Sequence, residues 1–520
     1  MSGLLPTSGR RQEARRKPAA ARLVAGRGGT TETDGVLTCL HPEATTSSGT
    51  FQAMNDSIDT LRFGVLSDIH LLDPALALPE GAARTDLFRT ALARFRDRGV
   101  DAVLVCGDLT HNGFVTELEE VARVWFEVFP EGRLPDGRRV ANLMLYGDHD
   151  MEGRIRKGES ARRRYAERGL PLPQGLDEGG NRFAVWERLF GEKWEPLKRV
   201  AVKGHDFLLR SFAPEYMGRS PGLAEAVAAV RAENPDRPFF YAQHRTIPGT
   251  CRFRDHVWGA EDGAGDCRRV LDGCPEAVAF FGHTHCSPAD EQAAWQGGFT
   301  AINAGGLVTS AVPRGRENST GISWLADDPA PFSQMQSVPS GAAHGAMVVA
   351  VDGRRLRVER IDVETGLPLG PDWEIETGPE AIARGAFGNA ARAASAGPPP
   401  QFPEGAAISL EDVPGGADRS GASTPQLRVR FPRAETQPGG LRALDYRVRA
   451  ETLAFGEPRL ILEKRVLSPG ANRPEALDTE PPCCVFSRAE LAAPGPLRFT
   501  AAPMNAWGQE GRAIATASGG

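Results

Sequence analysis

"LRFGVLSDIH", residues 61–70, carries an apolar run into Ser-Asp-Ile-His. Such a run, stopped by small polar residues, reads as a buried strand ending at a sheet edge, where side chains are held rigidly yet meet solvent. On an extended strand the side chains of Asp68 and His70 alternate with Ile69 between them. They can serve one point only if the strand stops there and the backbone turns. The fold therefore turns on whether other strands end in the same way.

Four others do. "DAVLVCGDLTHNG" (101–113) ends on Asp108, "RVANLMLYGDHD" (139–150) on Asp148, His149 and Asp150, "PFFYAQH" (238–244) on His244, and "AVAFFGHTH" (277–285) on His283 and His285. Singly, each has an ordinary reading: Asp after Gly serves turns and helix caps, and a lone His is more often a satisfied core residue. Together, five such blocks at successive strand ends point to one site. Carboxylate oxygens and neutral imidazoles suit Mn, Fe or Zn, and the absence of cysteine from the set argues against a closed structural zinc site. Two cations roughly 3.5–4 Å apart can clamp the attacking and leaving oxygens of an in-line displacement at phosphorus, with one carboxylate bridging them.

Helical patterns lie between the strands: "TDLFRTALARFRDRG" (85–99), "TELEEVARVWFEVF" (116–129), "FAVWERLFGE" (183–192), "GLAEAVAAVRAEN" (222–234) and "CRRVLDGC" (267–274). "RVAVKGHDFLLRSF" (199–212) reads as a hairpin turning at Gly204, "FTAINAGGL" (299–307) as a strand, and "GAMVVAVDGRRLRVERIDVETG" (345–366) as a hairpin turned by Asp-Gly. This alternation predicts a layered α/β domain over residues 61–370. Residues 371–424 are rich in Pro, Gly, Ala and Ser and read as a linker. Residues 425–515 hold short alternating segments divided by Pro and Gly turns, as in a small β-sandwich, and the last hairpin resembles immunoglobulin-like or fibronectin-type modules. Residues 1–60 have few large apolar side chains and read as a disordered extension, with Met54 an alternative start.

A net charge of −6 over 520 residues and no basic stripe argue against a nucleic-acid binder. No apolar stretch approaches the roughly 18 residues of a membrane span. No apolar region follows the twin arginines near the N-terminus, so no signal is read and the expected location is cytoplasmic. The eight cysteines lack C-x-x-C spacing, which fits a reduced interior. An exported location is the alternative, since sandwich modules are common there and Cys251, Cys267 and Cys274 could pair in an oxidising compartment.

The five blocks, Asp-x-His, Gly-Asp, Gly-x-His-Asp, His and Gly-His-x-His, resemble the calcineurin-like metallophosphoesterase superfamily over residues 61–310. The resemblance implies a four-layer αββα sandwich. It also implies that Asp68, His70 and His285 bind a first metal, that Asp108 bridges, and that Asp148, His244 and His283 bind a second. His149 is then the acid that protonates the leaving oxygen or stabilises the transition state, with Asp150 a candidate to orient it. The implied activity is hydrolysis of phosphate mono- or diesters of small substrates by a metal-bound hydroxide, with two metal ions as cofactor. A nuclease or cyclic-nucleotide phosphodiesterase is one alternative, and a non-catalytic binding protein with a lapsed metal site another. Arg245, beside His244, and Arg252 and Arg254 after it could supply positive charge for phosphate. His111 and Asn112 could line the pocket. Two departures stand out: Asp148 occupies the usual Asn position, and His111 a position that is acidic in many relatives. One change adds a negative charge and the other removes one, so the two are expected to be coupled.

Overall fold

The structure is a computed structural model, and it describes residues 60–216, 219–252, 266–313, 316, 335–337, 344–415 and 425–516. The extension expected over residues 1–60 falls outside them except for Thr60, as do Arg254 and Cys39. Two six-stranded mixed sheets form the α/β part. The first runs β14–β13–β12–β1–β2–β3, from β1 (Leu61–Leu66), β2 (Ala102–Val105), β3 (Ala141–Met144), β12 (Gly345–Asp352), β13 (Arg355–Asp362) and β14 (Trp373–Glu376). The second runs β4–β5–β6–β7–β9–β8, from β4 (Leu197–Val202), β5 (His205–Arg210), β6 (Phe239–Ala242), β7 (Ala277–Phe281), β8 (Ala294–Gln296) and β9 (Thr300–Asn303). A short pair, β10 (Ala311–Pro313) and β11 (Met335–Ser337), stands apart.

Strand alternation builds four layers. In β1 and β2, Phe63, Val65 and Leu104 turn toward the second sheet and join Phe207, Phe240, Val278 and Phe280 in a core between the sheets. Phe63 is its hub, edge-on to Phe207 at 5.2 Å and Phe240 at 5.0 Å between ring centroids. The opposite residues, Leu66, Val103 and Val105, pack on Phe88, Leu92 and Phe95 of α1 (Pro79–Asp97) and on Leu118, Val121 and Trp125 of α2 (Val115–Val128). Across the second sheet, Leu208, Tyr241 and Ala279 pack on α5 (Leu223–Glu233) and α6 (Asp266–Leu271). This is the expected αββα order.

Strands β1, β2 and β3 are mutually parallel, as are β5, β6, β7 and β9. The predicted hairpin at 199–212 forms, with Lys203 and Gly204 both at positive φ. Two further helices, α3 (Asp148–Glu167) and α4 (Asn181–Phe190), follow β3. The first begins where a strand end was expected, and its polar sequence has no apolar stripe to announce it.

The segment expected to be a linker is largely ordered into the fold. β14 pairs antiparallel with β13, and α7 (Pro379–Arg384), α8 (Asn389–Ala394) and β15 (Ser409–Val413) follow. The physical reason is a small set of large side chains that composition hides. Trp373 and Ile375 are buried in the core between the sheets. The Arg360 guanidinium lies 4.3 Å from the Trp373 ring centroid, and Glu291 accepts from Arg360, Arg392 and Trp373 Nε1. Beyond it, β15, β16 (Gln426–Arg430) and β19 (Cys483–Ser487) form one sheet; β17 (Asp445–Thr452), β18 (Arg459–Leu467), β20 (Leu497–Met504) and β21 (Ile514–Ala515) form another. Leu427, Val429 and Phe486 meet Tyr446, Val448 and Phe499 in a shared core, so the C-terminal part is all-β.

Among the described residues no disulfide links Cys251, Cys267 and Cys274 to one another. Among the described residues no helix is long and apolar enough to cross a membrane.

Gly64 sits mid-strand in β1, where a Cβ would come within 2.5 Å of the Phe95 ring. Gly64→Ala is expected to cost about 1–3 kcal/mol by overpacking the helix–sheet layer, measured as a lower urea midpoint with unchanged slope.

Candidate metal centre

All five blocks lie at the C-terminal ends of parallel strands, where open α/β sheets place ligand sites. The loops after β1 and β2 are zipped together: Asp68 N donates to Gly107 O at 3.0 Å and His70 N to Asp108 O at 2.9 Å. The two sheets are joined there too, since His283 N donates to Asp68 Oδ2 at 3.0 Å.

The backbone turns as the Asp-x-His spacing requires. Eight non-glycine residues among those described have positive φ, and five of them are Asp68, His70, Asp108, His283 and His285, at 44–65°. This left-handed region is costly for most side chains and tolerated best by Asp, Asn and His. It directs residues i and i+2 to one side of the loop rather than to opposite faces.

Two groups hold the expected ligands: Asp68, His70 and His285 form one, and Asp108, Asp148, His244 and His283 the other; a third, His70, His111 and His149, lies beside them, and in each the ligand-capable atoms lie within 4.8 Å of one another. In the second, His244 Nε2 lies 3.2 Å from Asp108 Oδ1, 3.2 Å from Asp148 Oδ1 and 3.1 Å from His283 Nδ1. In the first, His285 Nε2 is 3.1 Å from Asp68 Oδ1 and His70 Nε2 is 3.8 Å from it. Asp108 spans both, with Oδ1 toward His244 and Oδ2 3.6 Å from His70 Nε2.

The imidazoles are oriented from behind. His244 Nδ1 faces the Cys106 carbonyl at 2.7 Å, and His285 Nδ1 contacts Thr309 Oγ1, so each presents Nε2 to the site. Burial by itself would raise the Asp68 carboxyl, but His285 and His244 hold it at about 2. Asp148, equally buried, is held well below the usual carboxylate range by His283 and His244. Conversely, burial would lower His244, yet Asp108, Asp148 and Asp68 raise it well above an ordinary imidazole. So strong a negative field among neutralisable ligands suits a pair of divalent cations, and the oxygen and nitrogen donor set fits Mn, Fe or Zn.

His149 and His111 stand at the rim. His149 N donates to Asp108 Oδ1 at 2.9 Å, its Nδ1 faces the His111 carbonyl at 3.0 Å, and its Nε2 lies 4.0 Å from Asp108 Oδ2. The His111 ring packs near His70 and His149, at 5.6 and 5.7 Å between centroids.

Four of the expected site residues make other contacts. Asp150 does not orient His149; it is buried and accepts from Leu109 N, Thr110 N, Thr110 Oγ1 and Gly147 N, clamping the β2 and β3 loops. Asn112 is fully buried, and its amide donates to Glu117 Oε1 at 2.7 Å within the turn that starts α2. Arg245 is 7% exposed and faces Asp148 Oδ2 at 3.4 Å rather than open solvent. Arg252 likewise pairs with buried Asp290. Cys106 O, Thr309 and the glycines beside the ligands also shape the site, and no pattern along the chain marks them. At Gly147 and Gly107 a Cβ would strike the His244 ring at 2.9 and 2.6 Å.

Residues 61–287 match the family described as calcineurin-like phosphoesterase. Similar solved structures include a dimetal phosphatase from Danio rerio, 12% identical, covering 61% of this chain and 99% of its own with a TM-score of 0.35. A purple acid phosphatase from yellow lupin is 14% identical, covering 62% and 55%, with a TM-score of 0.38. Vps29 from Entamoeba histolytica, complexed with zinc, is 11% identical, covering 61% and 99%, with a TM-score of 0.24. No curated protein matches the chain.

Asp150→Ala leaves three buried backbone donors without their acceptor and is expected to cost about 3 kcal/mol or more. Asp150→Asn, which keeps one accepting oxygen, should cost clearly less. Chemical denaturation of the two variants checks the order.

Proposed function

We propose that the domain hydrolyses phosphate mono- or diesters with two cations. Asp68, His70 and His285 would hold the first cation and Asp148, His244 and His283 the second, with Asp108 shared between them. The observation that carries this reading is Asp108, whose two carboxylate oxygens face separate groups of ligand-capable side chains. When bound, such a pair supplies Lewis-acid activation of water and neutralises charge at the phosphoryl group.

The rest is work for this chain's own residues. Asp108 keeps the two groups in register, because its Oδ1 is also pinned by His149 N. Cys106 O and Thr309 hold the His244 and His285 rings so that their Nε2 atoms converge. His149, with Nδ1 facing the His111 carbonyl, keeps Nε2 on the site side, where it can donate a proton to the leaving oxygen. It is partly exposed, as a group meeting an entering substrate must be. The N-terminus of α3 lies at the same place and favours an anion there. The convergence of all seven expected ligands supports an enzyme over a lapsed binding protein.

The decisive measurement loads the full chain with Mn, Fe or Zn and assays phosphomonoesters, phosphodiesters and cyclic nucleotides, with Asp108→Ala as the blank. Two bound equivalents with turnover of one class are expected; two equivalents and no turnover of any class would leave the binding reading. Asp108→Ala should lose metal from both positions and Asp148→Ala from one, read by elemental analysis. His149→Gln should lower kcat by roughly 10²–10⁴ with metal content unchanged. The loss should be smaller for p-nitrophenyl than for alkyl esters, whose leaving oxygens need the proton more.

A further inference from the structure

Asp148 is divided among three neighbours. Its Oδ1 faces His244 Nε2 at 3.2 Å and His283 Nδ1 at 3.4 Å, while its Oδ2 faces an Arg245 nitrogen at 3.4 Å. Asp148 is 1% exposed and Arg245 7%, and the guanidinium is backed by the Phe212 ring, 4.8 Å from its centroid. This is a closed arrangement: an aromatic face on one side, a carboxylate on the other.

The charge balance gives the contact a purpose. Asp68, Asp108 and Asp148 are 0%, 2% and 1% exposed, so three carboxylates are buried within one site. Each buried carboxylate needs a partner, and the guanidinium is a cation that keeps its proton at any working pH. The charge expected to be offset through His111 thus has a direct counterpart in Arg245. We propose that Arg245 is a positioning residue for the metal centre. By neutralising and anchoring Oδ2, it leaves Asp148 to offer Oδ1 alone to the cation shared with His244 and His283. The cation rests on the reading above; the ion pair does not.

A double-mutant cycle in the full chain tests this, with Arg245→Met, Asp148→Asn and the two combined. Two quantities are read: the melting temperature in EDTA, and zinc affinity by chelator competition. Arg245→Met should lower the melting temperature and weaken one of two zinc equivalents by about tenfold or more. In the Asp148→Asn background, where the amide needs no counter-charge, both effects should nearly vanish. Additive effects would overturn the proposal. So would an Arg245→Met variant that raises KM for p-nitrophenyl phosphate while its melting temperature in EDTA and zinc affinity stay unchanged, since that is the behaviour of a substrate clamp. If Asp148→Asn does not fold, Arg245→Lys and Arg245→Gln carry the test: Lys should retain stability and zinc affinity and Gln lose both, and equal losses would overturn it. A chain that binds no zinc sinks the two-cation reading, while the EDTA cycle still decides the ion pair.

Discussion

Everything in the centre depends on the backbone leaving the strands in the left-handed conformation. Asp68, His70, Asp108, His283 and His285 all adopt it. Side chains two residues apart on a continuing strand would point to opposite faces, one into the core and one away from the partner ligands. The cost of such φ values, on the order of 1–2 kcal/mol per residue, must be met by surrounding structure. Here the loops supply it through backbone bonds between the β1 and β2 loops and a bond from His283 N to Asp68 that crosses from one sheet to the other.

The same loops can meet only because the sheets are locked face to face. Phe63 packs edge-on against Phe207, Phe240 and Phe280, and parallel strands then end at one level. Around the ligands stands a set of residues that never reach the reacting atoms. Cys106 O and Thr309 choose which imidazole nitrogen is presented, Asp150 ties the β2 loop to the start of α3, and Glu117 holds the turn at Asn112. Glycines at 107, 147 and 282 leave room for the close approach that these contacts need.

The segment from Trp373 onward shows how a few large side chains outweigh composition. Its prolines, glycines and alanines suggest an open tether, yet Trp373 is buried and Glu291 gathers two guanidiniums and an indole into one part-buried network. That network ties β13, β14 and α8 to the loop before β8. A charged group paired so fully belongs to the body of the fold, since a tether would leave it in water.

The order of residues along the chain already specifies the layered α/β class, the strands that carry the site, most helices, and the seven acid and imidazole residues that converge. Strand alternation and the placement of those residues at strand ends are local patterns, legible along the chain. Packing set the rest, much of it through contacts between segments far apart in sequence. Asp150 turned out to clamp loops, Asn112 to hold a turn and Arg245 to face Asp148, and α3 began where no apolar period announced a helix. The physical reason is that a polar side chain's role is set by whichever donor or charge packing brings within about 3 Å of it, and that neighbour is chosen by the fold.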